Sequence, residues 1–189
     1  MSHAHMGHVT KAWGDTPDGQ GLLPIAIAEA KTAVQHAGFA ASKPGDLAWM
    51  QLHTRHIVHA VDPSVELKGP GLGYGVIKAA GGSAKHINFA AKSDDASKNV
   101  RTHAVHVATS SENTVTRAKE IVALGKRVIA SSRAADAAPL VQQVAKLTKA
   151  LLEGVDANAD GKITWHQGEG GLNEANKHMG FMAKGESLN

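Results

Sequence analysis

The sequence contains no cysteine among its 189 residues. This absence excludes disulfide bonds, thiolate metal sites, iron–sulfur clusters and covalent haem attachment. Aromatic residues are also scarce, at 4% of the chain, although hydrophobic residues make up 42%. Because alanine, valine, isoleucine and leucine supply most of the apolar content, closely packed helices are favoured over β-sandwiches.

Long apolar runs and blocks of like charge are missing as well. No apolar stretch approaches the ~20 residues that cross a bilayer, so no membrane partner is expected. The formal net charge is +3 and the lysines are scattered, which is not the basic patch of a nucleic-acid-binding protein. The missing cysteines, together with a calcium-type loop described below, favour a periplasmic or secreted protein.

Helical periodicity accounts for most of the chain, and no segment shows a convincing strand alternation. Asp46 is placed to cap a helix and Pro63 to end it. The predicted helices cover about 24–42, 47–61, 75–92, 96–132, 139–154 and 171–184. We divide the chain into a flexible histidine-containing tail (1–20), a helical bundle (21–134) and a C-terminal helix-loop-helix (135–189).

Histidine is the one over-represented residue, with 12 copies, and part of its distribution repeats. When residues 21–62 are aligned with residues 71–112, a shift of 50 residues, three histidines fall on three others. The repeat predicts a duplicated helical hairpin, each copy with the pattern His-x16-His-x2-His. The matched pairs are His36 with His86, His53 with His103, and His56 with His106.

The repeat has a chemical consequence, because a short loop brings the two halves of each hairpin to similar height. Residues three apart also lie on one side of a helix. Each hairpin is therefore expected to bring three imidazoles together, and the six to occupy one level of a four-helix bundle. Clustered imidazoles suit copper or zinc, and also nickel or iron. The predicted transition-metal ligands are His36, His53, His56, His86, His103 and His106.

This arrangement resembles the layout of ferritin-like di-metal four-helix bundles over about residues 24–110. In that family one helix carries one ligand and the next carries a Glu-x-x-His pair, and the unit is used twice. Histidine occupies the positions at which the family has glutamate. The carboxylates that bridge two irons are therefore missing, which does not match oxygen-activating di-iron chemistry. His59, Asp62 and Glu112 are expected at the rim of the site or bonded to the ring nitrogens of its ligands.

A second motif, DANADGKITWHQGE at 156–169, resembles an EF-hand calcium loop. Gly161 takes the turn position, and two predicted helices flank the loop. The motif departs from the family at its twelfth position, where Gln167 replaces the bidentate glutamate and Glu169 follows two residues later. The resemblance implies calcium ligands at Asp156, Asn158, Asp160, Lys162, Thr164, Gln167 and Glu169.

Two further groups of histidine and methionine residues are not assigned to the predicted histidine cluster. The N-terminal HAHMGH, with His3, His5 and His8, is able to capture copper or nickel, but a cloning remnant is the slightly favoured interpretation. His178 lies in a helix beside Met179 and Met182, and we assign this stripe to the core.

The sequence therefore predicts an all-α protein: a four-helix bundle from duplicated hairpins with a C-terminal EF-hand-like helix-loop-helix. The predicted function is transition-metal binding for storage, buffering or delivery, with calcium in the loop. The alternatives are a b-type haem protein with two axial histidines and a histidine-ligated metalloenzyme. An enzyme is the less favoured class, and a protein-interaction module in which the histidines are incidental is a further alternative. Metal ions are the expected partners, and a protein partner is left open.

Overall fold

A computed structural model of the protein describes residues 1–188, and within this range the chain is helical without β-strands. The all-α prediction is confirmed. A 3₁₀ turn at Pro17–Gly19 separates the first helix from the rest. The seven helices are α1 (Ser2–Thr10), α2 (Leu22–Ala41), α3 (Leu47–Val61), α4 (Val76–Lys92), α5 (Lys98–Ala130), α6 (Ala134–Glu153) and α7 (Leu172–Gly185).

Helix ends follow the local sequence. The side chain of Asp46 accepts a hydrogen bond from the Trp49 amide at 2.9 Å, which caps α3 as predicted. Ser97 caps α5 in the same way, through the amide of Val100. Gly154 ends α6 with a φ of 83°, a conformation that side chains rarely adopt.

The long α5 is the central helix and packs against α3, α4, α6 and α7. Three helix pairs matter for the sites described below: α1 with α4, α2 with α3, and α5 with α7. Small side chains let the helices approach closely. The core face of α2 is an example, because its alanines at 26, 30, 33 and 37 are all at most 2% exposed.

The loop between α3 and α4 is held by a buried carboxylate. Glu29 of α2 accepts hydrogen bonds from the backbone amides of Leu72, Tyr74 and Gly75. These amides precede the first turn of α4, where negative charge is favourable. Glu29 therefore fixes the position at which α4 begins.

The expectation of an extended conformation at the N-terminus is wrong for residues 2–10, which form α1. Met6 and Val9 are 2% and 0% exposed and belong to the main hydrophobic core. The apolar signal of α1 is weak because histidines occupy much of the face that meets α4. That core also includes Leu172 and Met179 of α7, so it joins all three segments predicted from the sequence.

None of the helices in the described part of the chain combines the length and the apolar content that crossing a membrane requires.

Candidate metal centres

The hairpin of α2 and α3 brings together three of the predicted ligands. The Nδ1 atom of His36 lies 2.9 Å from Nδ1 of His53 and 3.2 Å from Nδ1 of His56. His53 and His56 share one side of α3, and His36 faces them from α2. We call these three residues the second triad, and its convergence is as the sequence predicts.

Two more triads have the same construction but join helices that are distant in sequence. The first triad is His5 and His8 of α1 with His86 of α4. The third triad is His103 and His106 of α5 with His178 of α7. In each triad the ring nitrogens lie within 4.8 Å of one another. The structure thus contains three triads, each made by a His-x-x-His pair and one histidine from a neighbouring helix.

The expected grouping of the second hairpin is wrong. His86 does not join His103 and His106, although α4 and α5 are packed together. Instead α1 covers the face of α4 that carries His86, and α7 covers the face of α5 that carries the other two. A single level of six imidazoles is therefore replaced by separate groups of three.

All three triads present the same nitrogen. In the first triad, Nδ1 of His86 lies 3.2 Å from Nδ1 of His5 and 3.2 Å from Nδ1 of His8. In the third, Nδ1 of His178 lies 3.0 Å from that of His103 and 3.2 Å from that of His106. Tetrahedral zinc with bonds near 2.05 Å holds its nitrogen ligands about 3.3 Å apart. The observed spacings are close to that value.

Without a cation, three converging ring nitrogens have too few hydrogen-bond donors for their lone pairs. A neutral imidazole carries one proton, so three converging Nδ1 atoms present lone pairs to one another unless a proton or a metal lies between them. In the third triad, Nε2 of His178 lies 3.1 Å from Oε1 of Glu174 and donates to it, which leaves the Nδ1 of His178 unprotonated. In the second triad, Nε2 of His53 is buried without a hydrogen-bond partner among the described residues.

Burial favours the neutral form of seven of the nine triad imidazoles by lowering their pKa values. Burial, with His56 and His53 nearby, lowers the pKa of His36 from 6.5 to about 4. Burial, with the neighbouring His178 and His103, lowers the pKa of His106 to about 4 as well. Metal ligation requires the neutral form, so the triads are ready to bind at neutral pH. Burial also lowers the pKa values of His5, His53, His56, His86 and His178.

Each triad is lined by one tryptophan. Trp13 lies 4.4 Å from His86 in the first, Trp49 lies 4.3 Å from His53 in the second, and Trp165 lies 4.2 Å from His106 in the third, measured between ring centroids. The chain has only three tryptophans, so every one of them contacts a triad.

Each triad also contacts one phenylalanine, and the chain has only three of these. Phe39, Phe89 and Phe181 each follow a triad histidine by one turn, and their rings contact it. The phenylalanines are 41%, 41% and 47% exposed, whereas the histidines they follow are only 8–9% exposed. All three triads therefore lie just beneath the surface, at matching depths.

The three residues expected at the rim are engaged elsewhere. His59 is buried, and its Nδ1 lies 2.8 Å from the backbone oxygen of Glu66, to which it donates. Asp62 follows α3 and accepts hydrogen bonds from the amide and hydroxyl of Ser64. The side chain of Glu112 is exposed, six residues beyond the third-triad pair on α5. None of the three is bonded to a triad imidazole.

The loop at 156–169 makes a tight turn at Gly161. The carboxylate of Asp156 accepts from the amides of Asp160 and Gly161, and Gly161 has a φ of 82°. The carboxylate of Glu169 accepts instead from the amide and hydroxyl of Thr164. Calcium binding by Asp156, Asn158, Asp160, Lys162, Thr164, Gln167 and Glu169 stays a prediction.

This loop is also joined to the third triad. Asn113 of α5 donates to the backbone oxygen of His166 and accepts from the amide of Gly168. Arg117, one turn further along α5, donates to the backbone oxygens of Gly168, Glu169 and Gly170. These contacts hold the loop so that its Trp165 stacks on His106.

Comparison of the chain with family models, curated proteins and solved structures finds no match.

The sequence interpretation missed three of the nine triad histidines: His5, His8 and His178. A shorter repeat would have found them. His-x-x-His occurs at 5–8 and 103–106 and in two overlapping copies at 53–56 and 56–59, and His-x-x-Phe occurs at 36–39, 86–89 and 178–181. These short patterns do not all recur at the spacing of 50 residues that defines the longer repeat.

Proposed function

We propose that the protein binds three transition-metal ions, one in each histidine triad. The observation that carries the proposal is the convergence of three Nδ1 atoms in each of three groups that share one construction. Nine of the 12 histidines are used in this way, which an incidental surface distribution does not explain. The proposed role is storage, buffering or delivery of the metal.

Zinc and copper(II) are the ions that best suit these sites. Imidazole is a favoured ligand of both, and the sites offer neither thiolates nor carboxylates as direct ligands. Three facial nitrogens leave one position of a tetrahedral ion open for water or for a ligand from a donor or acceptor of metal. A shallow site with an open position suits exchange better than permanent structural binding.

The two alternatives have less support from the geometry. Axial histidines of haem approach iron from opposite faces of a flat ring, whereas these imidazoles converge on one point. A hydrolytic enzyme needs a free acid or base beside the open position. The carboxylate closest to a triad, Glu174, bonds the His178 nitrogen that faces away from the point of convergence.

Isothermal titration of the metal-free protein with zinc at pH 7.5 tests the proposal. The protein should be purified without a nickel column, so that its histidines are not loaded beforehand. We expect three zinc ions per chain. A variant with His36→Ala, His86→Ala and His178→Ala removes one ligand from each triad and should bind none of them.

The variant His3→Ala with His59→Ala and His166→Ala is the matched control, because it removes the three histidines outside the triads. It should keep all three ions. A wild-type protein that takes up no zinc or copper, or a triad variant that keeps three ions, contradicts the proposal.

Calcium in the loop at 156–169 is a separate proposal, supported by the resemblance and by the turn at Gly161. Calorimetry with calcium, comparing the protein with Asp156→Ala, tests it. Heat of binding that is lost in the variant supports a calcium site, and equal heats in both proteins remove it.

A further inference from the structure

The third triad differs from the other two in one respect that affects metal affinity. Glu174 and His178 both lie on α7, four residues apart, and Oε1 of Glu174 is 3.1 Å from Nε2 of His178. Both side chains are largely buried, at 13% and 10% exposed. The opposite nitrogen of the same ring faces His103 and His106.

The corresponding position is not acidic in the other triads. The residue four positions before His36 is Thr32, and the residue four positions before His86 is Gly82. Neither can place a carboxylate behind the imidazole. The three triads are therefore alike in their ligands and unlike in what supports the ligand that crosses from the second helix.

The lysines near the triads also distinguish the third triad from the other two. Lys43 lies 3.8 Å from the centroid of the Trp49 ring beside the second triad. Lys85 lies 5.8 Å from the centroid of the Phe89 ring beside the first. Near the third triad, Lys177 is instead bonded to the supporting carboxylate, at 3.2 Å. The lysines beside the first and second triads thus lie over aromatic rings next to the ligands, whereas the lysine beside the third is paired with Glu174.

We infer that Glu174 makes the third triad the tightest of the three divalent-metal sites, so that it fills first and empties last. Glu174 is a positioning residue that acts through His178 and does not touch the metal. It fixes the proton on Nε2, holds the ring with Nδ1 toward the other ligands, and makes that nitrogen more basic. Outer carboxylates of this kind are worth about 10–100-fold in metal affinity.

The inference rests on the proposed function, because it ranks sites that must first bind metal. It changes how the protein works as a buffer. Three equal sites fill over one narrow range of free metal. One tight site with two weaker ones keeps a resident ion at low supply and takes up two more when supply rises.

Three single-triad variants allow the sites to be measured separately. His36→Ala with His86→Ala keeps the third triad, and the other two pairwise combinations of His36→Ala, His86→Ala and His178→Ala keep the second or the first. Zinc affinity is measured at pH 7.5 by competition with a chelator. We expect the variant that keeps the third triad to bind zinc at least 10-fold more tightly than either of the others.

Glu174→Gln and Glu174→Ala are then made in the variant that keeps only the third triad. Glutamine retains an acceptor for Nε2–H but loses the charge, whereas alanine loses both. We expect zinc binding to weaken by about 10–100-fold in the alanine variant and by less in the glutamine variant. Glu120→Gln is the control and should change nothing, since it lies 14 residues beyond His106 on α5, about 21 Å along the helix.

Nitrogen NMR of the metal-free protein gives a readout that a merely structural role would not move. His178 should be the Nε2–H tautomer in the wild type and should lose that preference in Glu174→Ala. Three triads of equal affinity, or zinc binding that is unchanged in both Glu174 variants, would overturn the inference while leaving metal binding intact. Failure of every triad to bind zinc would overturn the proposed function as well.

Discussion

The second and third triads have the same ligands in the same geometry, yet they are built from very different stretches of chain. His36 is 17 residues from His53, and one short turn joins their helices. His178 is 75 residues from His103, with α6 and the loop at 156–169 between them. The first triad resembles the third, because His5 and His86 are 81 residues apart. The same arrangement of three histidines can therefore arise from one hairpin or from the packing of the whole domain.

The two distant triads connect the terminal helices α1 and α7 to α4 and α5. The helix α1 has three buried residues, Ser2, Met6 and Val9, which is fewer than any other α-helix of the described chain has. A metal ion in the first triad would bind α1 to α4, and one in the third would bind α7 to α5. An ion in the second triad joins two helices that a short turn already holds together.

The largest expected effect is on overall stability. Each site adds about 2.7 kcal/mol to the free energy of unfolding when free metal is 100-fold above its dissociation constant. In a domain of this size that raises the unfolding temperature by roughly 5–11 °C per site. Thermal unfolding with and without zinc at pH 7.5 should show about three such increments in the wild type. It should show none in the variant lacking His36, His86 and His178.

Acid should reverse this stabilisation and also weaken the metal-free protein. The pKa values of His36 and His106 are lowered from 6.5 to about 4, so the unfolded chain binds more protons between these pH values. The part of the folding stability that depends on neutral His36 and His106 is fully present above about pH 6.5. It is lost as the pH falls toward 4.

Thermal unfolding of the metal-free protein at pH 7.5, 6 and 5 measures this loss. We expect this acid-induced loss of stability to be smaller, by a similar amount, in His36→Asn and in His106→Asn. The reason is that His36 and His106 have similar pKa values in the folded protein. A large response from only one variant would show that the local and the distant triad differ in electrostatics as well as in chain length.

The local stability of α1, α7 and the α2–α3 hairpin should distinguish the three triads in more detail than the unfolding temperature does. Hydrogen exchange with and without zinc should show the greatest gain of protection in α1, followed by α7, and little change in the α2–α3 hairpin. His86→Ala should abolish the gain in α1 and leave that in α7. Equal gains in all three regions would show that chain separation does not govern the effect.

The sequence predicted the local parts of this structure well and the distant parts poorly. The cap at Asp46 and the second triad depend on neighbours within one hairpin, which periodicity and loop length specify. The partners of His86 and His103 depend on which helix covers which face of α4 and α5, which no local signal specifies. The start of α6 was also misplaced, because Pro139 lies in its second turn whereas the helix begins at Ala134.

The smallest expected effect concerns the tryptophans. Removing Trp165 or Trp49 takes away one aromatic contact with a triad histidine, worth about 0.5–1.5 kcal/mol. We expect Trp49→Phe to lower stability slightly without changing zinc stoichiometry. Trp165→Phe should do the same and also loosen the loop at 156–169, detected as faster hydrogen exchange there. An increase in exchange that is equal in both variants would argue against coupling between loop and triad.

The position of the bound ions is the most direct test of the three-site proposal. Crystals grown with zinc and measured at the zinc absorption edge should show three anomalous peaks per chain. Each peak should lie about 2.0–2.1 Å from three Nδ1 atoms, one set for each triad. Peaks bonded through Nε2, peaks at His3, His59 or His166, or triads that stay empty in excess zinc would contradict the proposal.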